Sequence, residues 1–183
     1  MKILKILGIL ILVIIALAVG AFAYFGGFHK VEFKTVTTGG EVLVYEDMLG
    51  DYSKSPAVMD KIYSSLLNDH KIETTKGFGI YFDNPQNTPT EELRSEIGCI
   101  VEPKDTALLS SIADFKIKVL PVQEYLVAEF PYKGGVSIIV GLMKVYPAMT
   151  NYVKENNLPV DSPVMEIYDV PNKTIQYRRL VSQ

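Results

Sequence analysis

The run Val164-Met165-Glu166-Ile167-Tyr168 holds the residue types best suited to chemistry. On a strand, side chains two apart share a face, so Glu166 and Tyr168 would present a carboxylate and a phenol to the same space. Two uses follow. A carboxylate can serve as a general base beside an orienting hydroxyl, or as the counter-ion of a bound cation. Met165 and Ile167 are expected to face the helices, leaving Val164, Glu166 and Tyr168 on the opposite face. The plainer alternative is a solvated sheet face on which the glutamate is incidental.

Signatures of other chemistry are thin. The two histidines, His29 and His70, have no partner at a useful spacing. There is no H-x-x-x-H, no G-x-S-x-G and no phosphate-binding glycine loop. The single cysteine, Cys99, lies in the apolar run Ile97–Val101 and reads as a buried structural thiol. No metal and no cofactor is expected. Asp83 and Asp169 stand shortly before prolines, where turn formation is their ordinary use. Asn172-Lys173-Thr174 is a glycosylation sequon by pattern only.

The elements that must position Glu166 and Tyr168 centre on residues 78–94, FGIYFDNPQNTPTEELR. An apolar strand runs into an Asp83-Asn84-Pro85 turn, then a polar loop, then a second apolar strand from Ile97 to Val101. The chain also echoes itself. Residues 80–85, IYFDNP, match residues 166–171, EIYDVP, and residues 41–46, EVLVYE, match residues 124–129, EYLVAE. The offsets nearly agree, which points to a duplicated strand–helix–strand–strand unit. Strands are expected at 31–38, 41–46, 78–82, 97–101, 115–119, 123–130, 164–168 and 174–180. Helices are expected at 53–70, capped by Ser55 with Pro56 first, and at 135–156, where Pro147 should introduce a kink. A polar linker at 102–111 separates the units.

The run IYFDNPQNTPTEELRSEIGCIV resembles the hallmark of the GyrI-like family of small-molecule-binding domains, which also serve as effector-binding parts of AraC- and MerR-type regulators. The resemblance extends from about Val31 to the C-terminus and includes PVMEIYDVPNKTIQYRRL. It implies an α+β fold: two βαββ repeats related by a pseudo-twofold axis, with an antiparallel sheet, two helices on one face and a ligand groove between the repeats. It also implies that Glu166 and Tyr168 occupy the positions where the family places an acid against cationic or polar ligand atoms. If the internal repeat sets the faces, Phe78, Ile80 and Phe82 line the groove beside Glu166. The alternation equally permits the reverse, with those residues in the core and Tyr81 in the groove. Tyr45, Tyr125 and Tyr132 are further candidates. The last strand departs from the family: a usual acid is absent, and Arg178-Arg179 stands where an apolar or proline residue is usual, either to pair with an acidic ligand group or to point to water.

Residues 6–25 contain no charge and follow Lys2 and Lys5. Twenty helical residues span about 30 Å, the thickness of a bilayer's hydrocarbon. The expected organisation is an anchor over residues 1–27 and one domain over 28–183, with repeats at about 31–102 and 112–183. Lysines before the span place the N-terminus in the cytoplasm and the domain outside the inner membrane of a bacterial cell. The alternative is a signal segment cleaved near Ala21-Phe22-Ala23, leaving a secreted or periplasmic domain. The chain's net charge of −3 becomes −5 once Lys2 and Lys5 are set aside. An acidic domain without a basic face is a poor nucleic-acid binder. The reading is a membrane-tethered domain binding a cationic or aromatic small molecule through Glu166, Tyr168, Phe82, Ile80, Tyr81, Tyr45 and Tyr125. A hydrolase of small electrophiles using Glu166 and Tyr168, and a protein-interaction module, are the alternatives.

Overall fold

A computed structural model of the chain describes residues 2–182. Helix α1 covers Lys2–Tyr24 and strand β1 Phe33–Thr38. Then come β2 (Val42–Leu49), α2 (Ser55–Asn68), β3 (Lys76–Tyr81) and β4 (Arg94–Val101). After a 3-10 run over Pro103–Ser111 come β5 (Lys116–Val119), β6 (Gln123–Pro131), α3 (Gly135–Glu155), β7 (Val164–Asp169) and β8 (Thr174–Leu180). The fold is α+β, with one antiparallel sheet in the order β1-β6-β8-β7-β3-β4-β2-β5. Every expected strand is present to within a few residues.

The helices follow their apolar spacing. In α2, Ile62 and Leu66 are four apart and fully buried. Full burial of each such side chain contributes about 1.5–3 kcal/mol. Pro56 occupies the first turn as expected, but Lys54 takes the cap position without a side-chain bond. The acceptor at this end is Asp51, whose carboxylate takes the Ser53 N–H at 2.8 Å and starts a short 3-10 turn. Helix α3 runs unbroken through Pro147.

Register shows which face the helices cover. Val44, Cys99, Gly77, Tyr168, Ile175 and Phe130 form one row across β2, β4, β3, β7, β8 and β6. Ile62 and Leu66 of α2 pack with Val44 and Cys99. Val145, Met149 and Val153 of α3 pack with Phe130, Ile175 and Tyr177. Both helices therefore lie on the face that carries Tyr168 and, two residues earlier, Glu166. This reverses the expected assignment. Met165 and Ile167 point away from the helices, and they remain buried because the far face has a core of its own. The alternation was read correctly but attached to the wrong layer, since Met and Ile fit either side of a sheet buried on both.

The far face is buried because the twisted sheet brings two opposed corners together. Strands β1 and β2 sit near opposite ends of the sheet, yet only residues 39–41 join them. At the junction Gly40 N–H donates to Leu120 O at 2.7 Å, and Leu120 N–H donates to Glu41 O at 2.8 Å. Inside the resulting hollow lie Leu43, Tyr45, Phe78, Ile80, Tyr125, Val127, Met165 and Ile167. Arg178, 7% exposed, reaches across it to Glu41 at 2.7 Å. Arg179 lies on the helix side and donates to the carbonyls of Pro159 and Val160. Neither arginine simply points to water.

The loop 82–93 is pinned by its own residues. Asp83 takes a fork from Arg94, Nε to Oδ2 at 3.0 Å and Nη2 to Oδ1 at 2.7 Å. Its Oδ2 also accepts the Arg94 N–H at 2.8 Å. Asp169 accepts the Asn172 N–H at 3.0 Å. Both aspartates are structural, as turns of this kind predict. Cys99 is buried, and burial raises its thiol to about 11, keeping it protonated and unreactive.

Helix α1 is solvent-exposed along its length, and Ile3–Tyr24 is long and apolar enough to cross a membrane.

The corner junction gives a test. Gly39 has φ +135°, and a Cβ there would sit 2.2 Å from the Pro121 carbonyl oxygen. Gly50 has φ +109° with open space around it. Gly50→Ala should cost about 1–2 kcal/mol, the backbone term alone. Gly39→Ala should cost roughly 1–3 kcal/mol more, because the junction must part. Denaturant melts of the two variants in detergent compare these directly.

Candidate functional site

Glu166 is 1% exposed, and among the described residues no lysine or arginine pairs with it. Two phenols hold it instead. Tyr146 Oη, from α3, donates to Oε1 at 2.6 Å, and Tyr168 Oη donates to Oε2 at 2.5 Å. Each oxygen thus keeps one donor while the group stays out of water. A buried carboxylate without a cationic partner costs several kcal/mol even when hydrogen-bonded. Burial pushes the Glu166 carboxyl above its usual range, and the two tyrosine hydroxyls pull it partly back.

Two more tyrosines complete the cage. Gly79 stands directly opposite Glu166 across the β3–β7 pair. With no side chain there, Tyr81 folds back over it; a Cβ on Gly79 would lie 2.7 Å from the Tyr81 hydroxyl. Tyr177 pairs with Glu166 across β7–β8, and its buried hydroxyl has no hydrogen-bond partner among the described residues. Gly141 of α3 leaves space for that hydroxyl, since a Cβ there would meet it at 2.5 Å. The Tyr146 and Tyr177 rings meet edge-on with centroids 6.0 Å apart. Tyr132 closes the side beside Tyr168, at 6.3 Å, and Tyr52 packs on Tyr81 at 4.8 Å. Burial raises Tyr81 to about 12, and burial with the Glu166 charge holds Tyr146, Tyr168 and Tyr177 well above the usual phenol range. All four stay neutral around one acid, to which Tyr146 and Tyr168 donate.

Of the residues expected to share the site, the structure brings together Glu166, Tyr168 and Tyr81. Ile80, Tyr45 and Tyr125 lie on the far face, in the core of the hollow. The reason is the register: Ile80 pairs with Met165, and so shares its side of the sheet. Phe78 goes with them, opposite Ile167. Phe82 falls just beyond β3 and is 37% exposed. The reverse alternation, with Tyr81 beside Glu166, is therefore the one present. Tyr146 and Tyr177 were missed. Tyr146 sat unremarked in the apolar stripe of its helix. Tyr177, two residues after Ile175, shares that residue's face by the period-2 rule, but no local signal says that the helices cover that face.

The far face has an opening too, a cavity of about 550 Å³ bordered by Glu41, Lys76, Asp169, Gln176 and Arg178. Two ion pairs lie in its wall, Arg178 with Glu41 and Lys76 with Asp169 at 3.4 Å. Glu166, on the other face, is met by hydroxyls instead. A neutral phenol cage around one desolvated carboxylate offers a cation with apolar or aromatic substituents both aromatic faces and a counter-ion.

Comparison with known proteins agrees with this architecture. The chain is 31% identical over 100 residues to testis-expressed protein 264 homolog of Mus musculus, a match covering 51% of this chain and 32% of that protein. The chain thus spans about a third of the length of that relative. Its fold is similar to the EcmrR C-terminal domain, with TM-score 0.55 and 13% identity, covering 84% of this chain and 98% of the other. It is also similar to SAV2435 in its structure bound to tetraphenylphosphonium, with TM-score 0.52 and 11% identity, covering 84% and 94%. The profile of the GyrI-like small molecule binding domain matches residues 43–178, and the chain belongs to that family.

Proposed function

We propose that this chain is a membrane-tethered receptor for a lipophilic, cationic small molecule, with Glu166 as the counter-ion and Tyr81, Tyr146, Tyr168 and Tyr177 as the walls. One observation carries the reading: a carboxylate 1% exposed that is held by two tyrosine hydroxyls. Such a group is unfavourable in the empty protein and favourable once a cation arrives, which is the asymmetry a receptor needs. Because Glu166 is closed off, a ligand enters only as covering side chains give way. Tyr146 on α3 and Tyr81 at the end of β3 are the two that can do so without unpairing the central strands.

We read the domain as two βαββ repeats, β2-α2-β3-β4 and β6-α3-β7-β8. The strand order supports this, since β6-β8-β7 on one side is matched by β2-β4-β3 on the other. The pseudo-twofold axis would pass between β7 and β3, beside the Glu166–Gly79 pair. Helix α1 is read as the anchor, with the domain outside the cytoplasm. Its length and its unbroken apolar exposure support this.

Calorimetric titration with tetraphenylphosphonium tests the receptor reading. Glu166→Gln should weaken binding by about 1.5–3 kcal/mol, the scale of a charged hydrogen bond. Glu155→Gln, on the exposed end of α3, should leave it unchanged. Equal affinities for wild type and Glu166→Gln would remove Glu166 from the site.

The raised Glu166 carboxyl sets two pH dependences of opposite sign. Its native value lies above its unfolded value, so its contribution to stability is fully present below the ordinary carboxylate range and is lost as pH rises through the native value. Melting curves of Glu166→Gln should therefore gain on wild type over that interval and stay level above it. Cation binding needs the ionised form, so affinity should climb over the same interval and level off. Carbonate extraction tests the anchor: the chain should stay with the membrane, and a soluble product beginning near Tyr24 would show a cleaved signal instead.

A further inference from the structure

The first half of α3 carries an apolar face turned away from the domain. Val136 is 50% exposed, Ile139 59% and Met143 73%. Spacings of three and four residues put them on one stripe, opposite the buried Ser137, Gly141 and Val145. From Gly134 to Met143 there is no charge; Lys133 precedes the segment and Lys144 follows it. Single exposed apolar side chains are ordinary, but an uncharged stripe of large ones on a helix calls for a covering surface.

The same turns are fastened to the end of α1. Lys144 Nζ donates to the Gly27 carbonyl at 2.5 Å. The Lys133 ammonium lies 4.4 Å above the Tyr24 ring. Gly26 is pressed against Phe130, whose ring would be 2.8 Å from a Cβ at that position. His29 meets the other side of the junction, its ring 5.3 Å from Phe130 and its Nε2 3.1 Å from the Glu129 carbonyl oxygen. Phe28, between these contacts, is 70% exposed. The stripe is thus held beside the point where the apolar helix ends, whatever the wider orientation of the domain.

We propose that the Val136–Ile139–Met143 stripe lies in the headgroup–acyl boundary of the bilayer that α1 enters, making α3 an in-plane membrane contact beside the anchor. This rests on the reading of α1 as a membrane span. The chemistry fits a lipid surface: an uncharged stripe of large apolar side chains toward the acyl region, held at the end of α1 by the two lysines that flank it. Helix α3 then has bilayer on its outer side and the Tyr146–Glu166 bond on its inner side.

The chain contains no tryptophan, so a single introduced indole reports its own surroundings. Full-length Met143→Trp, Ile139→Trp and the loop control Gln86→Trp are reconstituted in phosphatidylcholine–phosphatidylglycerol vesicles with and without brominated acyl chains. Interfacial helices bury their apolar face about 5–10 Å into the boundary, so bromine should quench the two α3 indoles by roughly half or more and spare Gln86→Trp. Flotation after carbonate wash reports the anchor independently. Vesicle-bound protein whose α3 indoles are quenched no more than the control overturns the in-plane contact and leaves the anchor standing. An α3 emission that shifts to the blue with protein concentration in detergent, without bromine quenching in vesicles, would assign the stripe to a second copy and overturn the proposal. A chain that fails to float removes both readings.

Discussion

The desolvation of one carboxylate organises this domain. Glu166 cannot leave water cheaply, and no basic side chain among the described residues pairs with it. The chain compensates with hydroxyls: Tyr168 from the same strand and Tyr146 from the helix above, with Tyr81 and Tyr177 filling the remaining directions. Phenols suit the task because they donate a hydrogen bond while presenting an aromatic face. The same groups that stabilise the empty site are those a flat or cationic guest would stack against. Two glycines make the arrangement geometrically possible. Gly79 vacates the position across from the acid, and Gly141 lets α3 approach Tyr177.

The sheet must carry two cores for this to work. One lies under the helices and contains the acid; the other lies in the hollow made where opposed corners meet at Gly39–Glu41. Strands β3 and β7 are therefore apolar on both sides, which lets their alternate residues take such different roles. In the hollow Arg178 and Glu41 form an ion pair, whereas the carboxylate under α3 is held by hydroxyls. The departure from the family at Arg178-Arg179 thus concerns the hollow and the 159–160 turn rather than the acid's cage.

Helix α3 joins the separate parts. It supplies Tyr146 to the acid, buries Val145, Met149 and Val153 against the sheet, and receives the end of α1 through Lys144 and Lys133. A displacement of its first turns would be felt at Glu166 and at the end of α1 together. Few elements connect the two otherwise, since α1 itself is exposed along its length.

Strand and helix positions were legible in the sequence because they depend on local periodicity and on turn residues such as Asp83-Asn84-Pro85 and Gly134-Gly135. The family was legible because the 80–101 run joins turn chemistry and strands at a particular spacing. The importance of Glu166 was legible as well, since an acid between two apolar strand residues conflicts with its neighbours. What the sequence left open was the side of the sheet. Alternation separates Met165 and Ile167 from Glu166 and Tyr168, but it does not say which set the helices cover when both faces are buried. Only the closure of the sheet and the register of β3 on β7 decide that: Gly79, not Ile80, stands opposite Glu166. Likewise no local signal carries Tyr146 to Glu166 or Arg178 to Glu41, because such long-range pairs exist only once the helix has docked and the corners have met.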